Sequence, residues 1–94
     1  MNSRTRLEYQ ANRIEATLAS HKVYGRVPGG TVTSRFVLFD LLPEPGVRVR
    51  RIQQLAEELA LSLSAPTCRI MRRGGRLQIE VSAAGGMHFF LKAK

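Results

Sequence analysis

The chain has 94 residues, a formal net charge of +8 and one cysteine. That length predicts one domain over residues 1–94 with a modest core, and an apolar content of 44% is too high for a disordered segment. A lone cysteine excludes a disulfide framework and leaves a cysteine-based zinc site little to be built from, and no apolar run approaches the roughly 18 residues that span a bilayer.

Thr5, Arg6, Leu7 and Glu8 read as a capping box, a threonine N-cap with a glutamate three residues on. Leu7, Ala11, Ile14 and Leu18 then recur at helical spacing, which predicts a first helix over 5–20 with Arg6, Arg13 and Glu15 in water. The same segment has charges spread through it and lacks the apolar block of a secretory signal. A cytoplasmic protein with no membrane insertion by this chain is expected. Lys22–Val27 is a short strand candidate, and Pro28-Gly29-Gly30 breaks it with turn chemistry. Thr31–Asp40, TVTSRFVLFD, is the clearest strand, rich in β-branched and aromatic residues. Both of its faces are partly apolar, so it should be central, and a hairpin around Pro28-Gly29-Gly30 would pair it with the first strand.

The connector LLPEPG leads to a second helix predicted over 49–64, with Ile52, Leu55, Ala56, Leu59, Ala60 and Leu63 as its buried stripe. Arg48, Arg50 and Arg51 crowd its first turn, where the helix dipole disfavours positive charge. Two explanations compete: the cations and the free backbone N–H groups together attract an anion, or the arginines pair with Glu44 or Glu57. Pro66 ends the helix. Thr67–Arg72 is a strand, Arg72–Gly75 turns the chain, and Arg76–Ser82 returns with Leu77, Ile79 and Val81 inward. Arg72, Arg73 and Arg76 cluster at this hairpin tip, where they either grip phosphates or solubilise a turn. Residues 83–86 form a linker, and MHFFLKA is a candidate for one last strand. The predicted class is α+β, in the order α-β-β-α-β-β, with both helices on one face of a mainly antiparallel sheet.

Catalytic patterns are missing from the sequence. It has no GxxxxGK[ST] phosphate loop. His21, His88 and Cys68 lack metal-ligand spacing, and no nucleophile or carboxylate pair stands out. A non-enzyme without cofactor, metal or small-molecule ligand is expected, with Cys68 as a buried structural thiol. Twelve of the 15 basic residues are arginine, which suits bidentate phosphate recognition and equally suits an acidic protein partner. Gly25, Gly29 and Gly30 are similar to the glycine loop of a KH-like single-stranded RNA binder, although that loop lies between two helices and these glycines lie between strand candidates.

Several stretches in order resemble one family. GTVTSRF (30–36) is similar to the "GP-x-V-T-R-[YF]" run of the alpha subdomain in FtsK/SpoIIIE-type DNA translocases, and GVRVRRI (46–52) resembles its "GVKVSKI". LAEELA (55–60) continues in register with "L-A-D-D-L-A", APTCRI (65–70) resembles the following "RI" strand, and IEV (79–81) resembles the start of "IEVPN". The resemblance covers about residues 6–82. Thr31 replaces the usual proline, the connector is longer and the last hairpin is tighter. The resemblance implies a non-catalytic module that packs on an ATPase motor subdomain and on neighbouring copies in a ring around double-stranded DNA. The resemblance also implies that full-length relatives can be membrane-anchored. It implies that Arg35 matches a family arginine and that Arg48 and Arg51 match two family lysines. Together with the residue reading, this gives Arg35, Arg48, Arg50, Arg51, Arg72, Arg73 and Arg76 as expected contacts to nucleic acid or a partner.

Overall fold

The computed structural model describes residues 3–82, and the predicted linker and last strand at 83–94 lie outside the described residues. Helix α1 spans Ser3–Ser20. The helix starts upstream of the expected cap, so Thr5 lies inside it. Its buried side is Gln10, Ala11, Ile14 and Leu18, with Leu7 packed alongside. Glu15 is not in free solvent as expected. Its carboxylate accepts a 2.6 Å hydrogen bond from the Val27 backbone N–H, tying α1 to the first strand.

The expected hairpin around Pro28-Gly29-Gly30 is absent, because that segment is a bulge inside one edge. Strand β1 (Gly25–Arg26) pairs with the end of β3 (Phe36–Pro43), and β2 (Gly30–Val32) pairs with its start. Arg26 lies opposite Leu42 and Gly30 opposite Phe39, so four steps on one strand face three on the other. A Cβ at Gly30 would come within 2.8 Å of the Phe39 ring, and only glycine fits there. The hairpin turn is Thr33–Phe36, inside the stretch read as one strand. Thr33 N–H donates to the Phe36 carbonyl at 2.8 Å, and Thr33 Oγ1 accepts from Phe36 N–H at 2.9 Å. A threonine favours strands by shape, but its hydroxyl competes for backbone donors and closes the turn.

The predicted second helix is two short ones, α2 (Val49–Gln53) and α3 (Ala56–Ser62). Leu55 N–H bonds Ile52 O rather than the carbonyl four residues back, which tightens the junction. The stripe survives this break: Ile52, Leu55, Leu59 and Ala60 are buried, with Ala56 and Leu63 packed against them. Helix α3 stops before Pro66. Ser64 adopts φ +54°, its N–H bonds Leu61 O, and Ala65 N–H bonds Ala60 O, a Schellman ending without the usual glycine. Lys22, at φ +64°, ends α1 in the same way.

Strands β4 (Cys68–Arg73) and β5 (Arg76–Ser82) form the expected hairpin, turning at Gly74-Gly75 with Gly74 at φ +60°. All pairings are antiparallel, in the order β1-β3-β5-β4 with β2 also on β3. The class is α+β, as the sequence predicts. Val37, Phe39 and Leu41 sit opposite Val81, Ile79 and Leu77, and these six residues with Cys68 and Ile70 form the helix-covered face. Burial pushes the Cys68 thiol up to about 12, so it stays protonated and inert.

Two stability outcomes follow from these contacts. Ser64→Gly should relieve the left-handed penalty and stabilise the fold by about 0.5–1 kcal/mol, read as a higher urea midpoint at unchanged slope. Glu15→Ala should strand the Val27 N–H and cost about 1–3 kcal/mol. Glu15→Gln keeps an acceptor and should cost clearly less in the same measurement.

Candidate nucleic-acid interface

The register places the seven expected arginines at opposite ends of the sheet. Phe36 pairs with Ser82 and Leu41 with Leu77, so β3 and β5 share six rungs. Arg35 sits in the turn before Phe36, exposed. Arg73 and Arg76 face each other across the last rung of β4–β5, beyond Leu77. The two groups are separated by about 17 Å or more at ~3.4 Å per residue.

Arg48, Arg50 and Arg51 lie at the Arg73–Arg76 end. The chain leaves β3 at Pro43, turns with Val47 N–H bonded to Glu44 O, and enters α2 at Val49. Helix α2 packs on β4 and α3 continues towards the start of β4 at Cys68, so α2 stands over the hairpin end. The last turn of α1 reaches the same corner. Arg51 donates from Nη2 to the His21 carbonyl at 3.2 Å. His21 is the residue after the last turn of α1, where the dipole is negative. This resolves the odd charge placement for one arginine, which holds the end of α1. The expected pairing with Glu44 or Glu57 does not occur, since no ion pair reaches either carboxylate among the described residues. Arg48 and Arg50 are exposed and make no side-chain hydrogen bond or ion pair among the described residues. Helix α2 is only five residues long.

The hairpin tip divides its charges between faces. Arg72 lies opposite Leu77 and points to the helix side, whereas Arg73 and Arg76 point to the uncovered face. Two further arginines missed by the sequence reading share that face. Arg69 is opposite Glu80 and forms a 3.6 Å ion pair with it. Arg26 is opposite Leu42, a residue 55% exposed. Inward Cys68 and Ile70 already implied an outward Arg69 by alternation. Arg26 had no such signal, because its partner strand depends on the bulge. Between these arginines the uncovered face carries Phe36, Leu38, Met71, Gln78 and Asp40, with Gln78 Nε2 donating to Asp40 Oδ1 at 3.2 Å.

A cleft of about 470 Å³ opens between α1 and residues 27–30, lined by Leu7, Glu8, Ala11 and Asn12 on the helix side, and no arginine reaches it. No group of three metal-capable side chains occurs among the described residues. Gly25, Gly29 and Gly30 belong to an edge strand and its bulge, not to a loop between two helices, so the clamp of a KH-like RNA binder is not formed. No described helix is long and apolar enough to cross a membrane.

Comparison with known proteins gives a consistent answer. The family model for the FtsK alpha domain matches residues 1–82. The DNA translocase FtsK of Caulobacter vibrioides is 34% identical over 79 residues, which is 80% of this chain and 9% of the relative. The FtsK of Vibrio vulnificus is 44% identical over 68 residues, 69% of this chain and 7% of the relative. The DNA translocase SftA of Bacillus subtilis is 36% identical over 64 residues, 68% of this chain and 7% of the relative. The chain thus spans less than a tenth of the length of these curated relatives. With the family model covering nearly all of it, the chain belongs to the FtsK alpha domain family.

Proposed function

We propose that residues 1–94 form one non-catalytic module of a DNA translocase that meets duplex DNA with the hairpin end of its sheet and packs on a motor subdomain or on copies of itself. The observation that carries this reading is the gathering of unpaired arginines at one end. Arg48 and Arg50 lead into α2, and Arg73 and Arg76 face each other across the closing rung of β4–β5. Guanidinium groups displace counterions from phosphates, and none of these four has a carboxylate partner among the described residues. Helices α2 and α3 spend their apolar stripe on the core, and the exposed arginines lie at the start of α2 and at a hairpin tip rather than along a helix face. Contact is therefore to backbone phosphates, without sequence preference. Arg72 and Arg35 are secondary contacts, because one faces the helix side and the other stands at the far end. Arg51 serves the fold rather than the ligand.

The test is a titration of labelled duplex DNA at two salt concentrations. If the four arginines each neutralise a phosphate, raising salt from about 50 to 200 mM should lower affinity on the order of 100-fold. Identical affinity at both concentrations would overturn the electrostatic reading. The double variant Arg73→Glu, Arg76→Glu should remove most of the affinity and flatten the salt slope, whereas Arg35→Ala should change it little. Arg51→Ala should behave differently, lowering stability by about 0.5–1 kcal/mol through the lost bond at the α1 terminus while the salt slope is kept. Self-association in sedimentation with no shift by DNA would favour a purely assembling module.

A further inference from the structure

We propose that the outer edge of β4 is a docking edge for an extended acidic peptide, which joins the sheet as an additional antiparallel strand. The two edges of the sheet differ in what they offer. The β1–β2 edge is interrupted by the bulge, and Pro28 has no N–H to give. The β4 edge runs six residues without a break, Cys68–Arg73, and has a neighbour on one side only among the described residues.

The ladder fixes which backbone groups face outward. Arg73 and Arg76 close the two-residue turn, and Ser82 N–H bonds Thr67 O at 3.1 Å. Bonded rungs alternate in an antiparallel pair. Thr67, Arg69, Met71 and Arg73 therefore spend their N–H and C=O groups on β5, and Cys68, Ile70 and Arg72 turn theirs outward. These three residues have no other hydrogen bond among the described residues. Their spacing is the spacing that an incoming strand requires.

Side chains then select the occupant. Strand β4 has no carboxylate, and arginines flank its edge on both faces: Arg69 and Arg73 on the uncovered side, Arg72 on the helix side. A second copy paired edge to edge would gather the arginines of both strands along one seam with no carboxylate on either β4, which disfavours self-pairing. The segment 83–94 carries two lysines and no acidic side chain, so it offers no charge complement to these arginines. An acidic strand gains main-chain bonds from three residues and meets cations on either face. This proposal stands apart from the DNA reading, because it needs backbone pairing and DNA contact does not.

The probe is a soluble peptide of about eight residues that alternates glutamate and valine. Its lysine–valine counterpart and a version with alternate prolines serve as controls. Amide hydrogen exchange of the whole chain, read by NMR, is the measurement. With the acidic peptide, exchange at Cys68, Ile70 and Arg72 should slow by about tenfold or more, and neither control should protect these amides. Arg72→Pro removes one outward donor without touching a β5 bond and should abolish protection at Ile70. If that variant loses protection of the β3–β5 core amides, Arg73→Glu replaces it and should weaken peptide binding by about tenfold. The proposal is overturned if the acidic peptide shifts arginine side chains while the three amides exchange freely, the pattern of a phosphate-type contact. It is also overturned if protection grows with protein concentration alone, which marks self-pairing.

Discussion

A six-rung antiparallel ladder joins β3 to β5, and the placement of every charge on the sheet depends on its register. Val37, Phe39 and Leu41 meet Val81, Ile79 and Leu77 on the covered side, with Phe39 and Ile79 fully buried. Side chains alternate along a strand, so this register also fixes what faces away from the helices. A one-residue slip of β5 would bring Gln78 and Glu80 into the core and expose Leu77, Ile79 and Val81. Truncating Phe39 to alanine would cost about 3–5 kcal/mol on the same logic. The hairpin β4–β5 extends the register outward, placing Arg69, Arg73 and Arg76 together on the open side.

Beyond the shared core, a few polar ties join the helices to one another and to the first strand. Glu15 holds the Val27 backbone, Thr17 Oγ1 donates to Ser62 Oγ at 2.7 Å, and Arg51 holds the end of α1. Each tie joins elements distant in sequence. Their effect is to bring the last turn of α1, the start of α2 and the end of β3 into one corner. That corner leaves Arg48 and Arg50 projecting while Arg51 is turned back. Three neighbouring arginines therefore divide between architecture and surface.

The α+β class, the buried stripes of both helical regions and the β4–β5 hairpin were legible because each rests on periodicity or on paired glycines. Strand β5, Arg76–Ser82, matches the expected bounds. What the sequence hid were features that depend on a side chain meeting a backbone group. Thr33 folds a turn inside an apparent strand, and Ser64 ends a helix without glycine, ahead of the proline expected to end it. The split between α2 and α3 has no proline or glycine to announce it. The Pro28-Gly29-Gly30 segment has turn chemistry but serves as a bulge, because Gly30 must pass the Phe39 ring. The strong basic charge was legible from composition. Its division between two ends was not, since that needs the pairing register, and neither was the bond that ties Arg51 to the end of α1.

The central claim is that the hairpin end of the sheet is the DNA-facing end. Backbone amide shifts recorded while a short duplex is titrated into the chain test it residue by residue. The account expects the largest shifts at Arg48, Arg50 and residues 73–76, with α1 and the cleft at residues 27–30 nearly silent. Shifts concentrated at Arg35 and the Thr33–Phe36 turn, with the hairpin end unchanged, would contradict it.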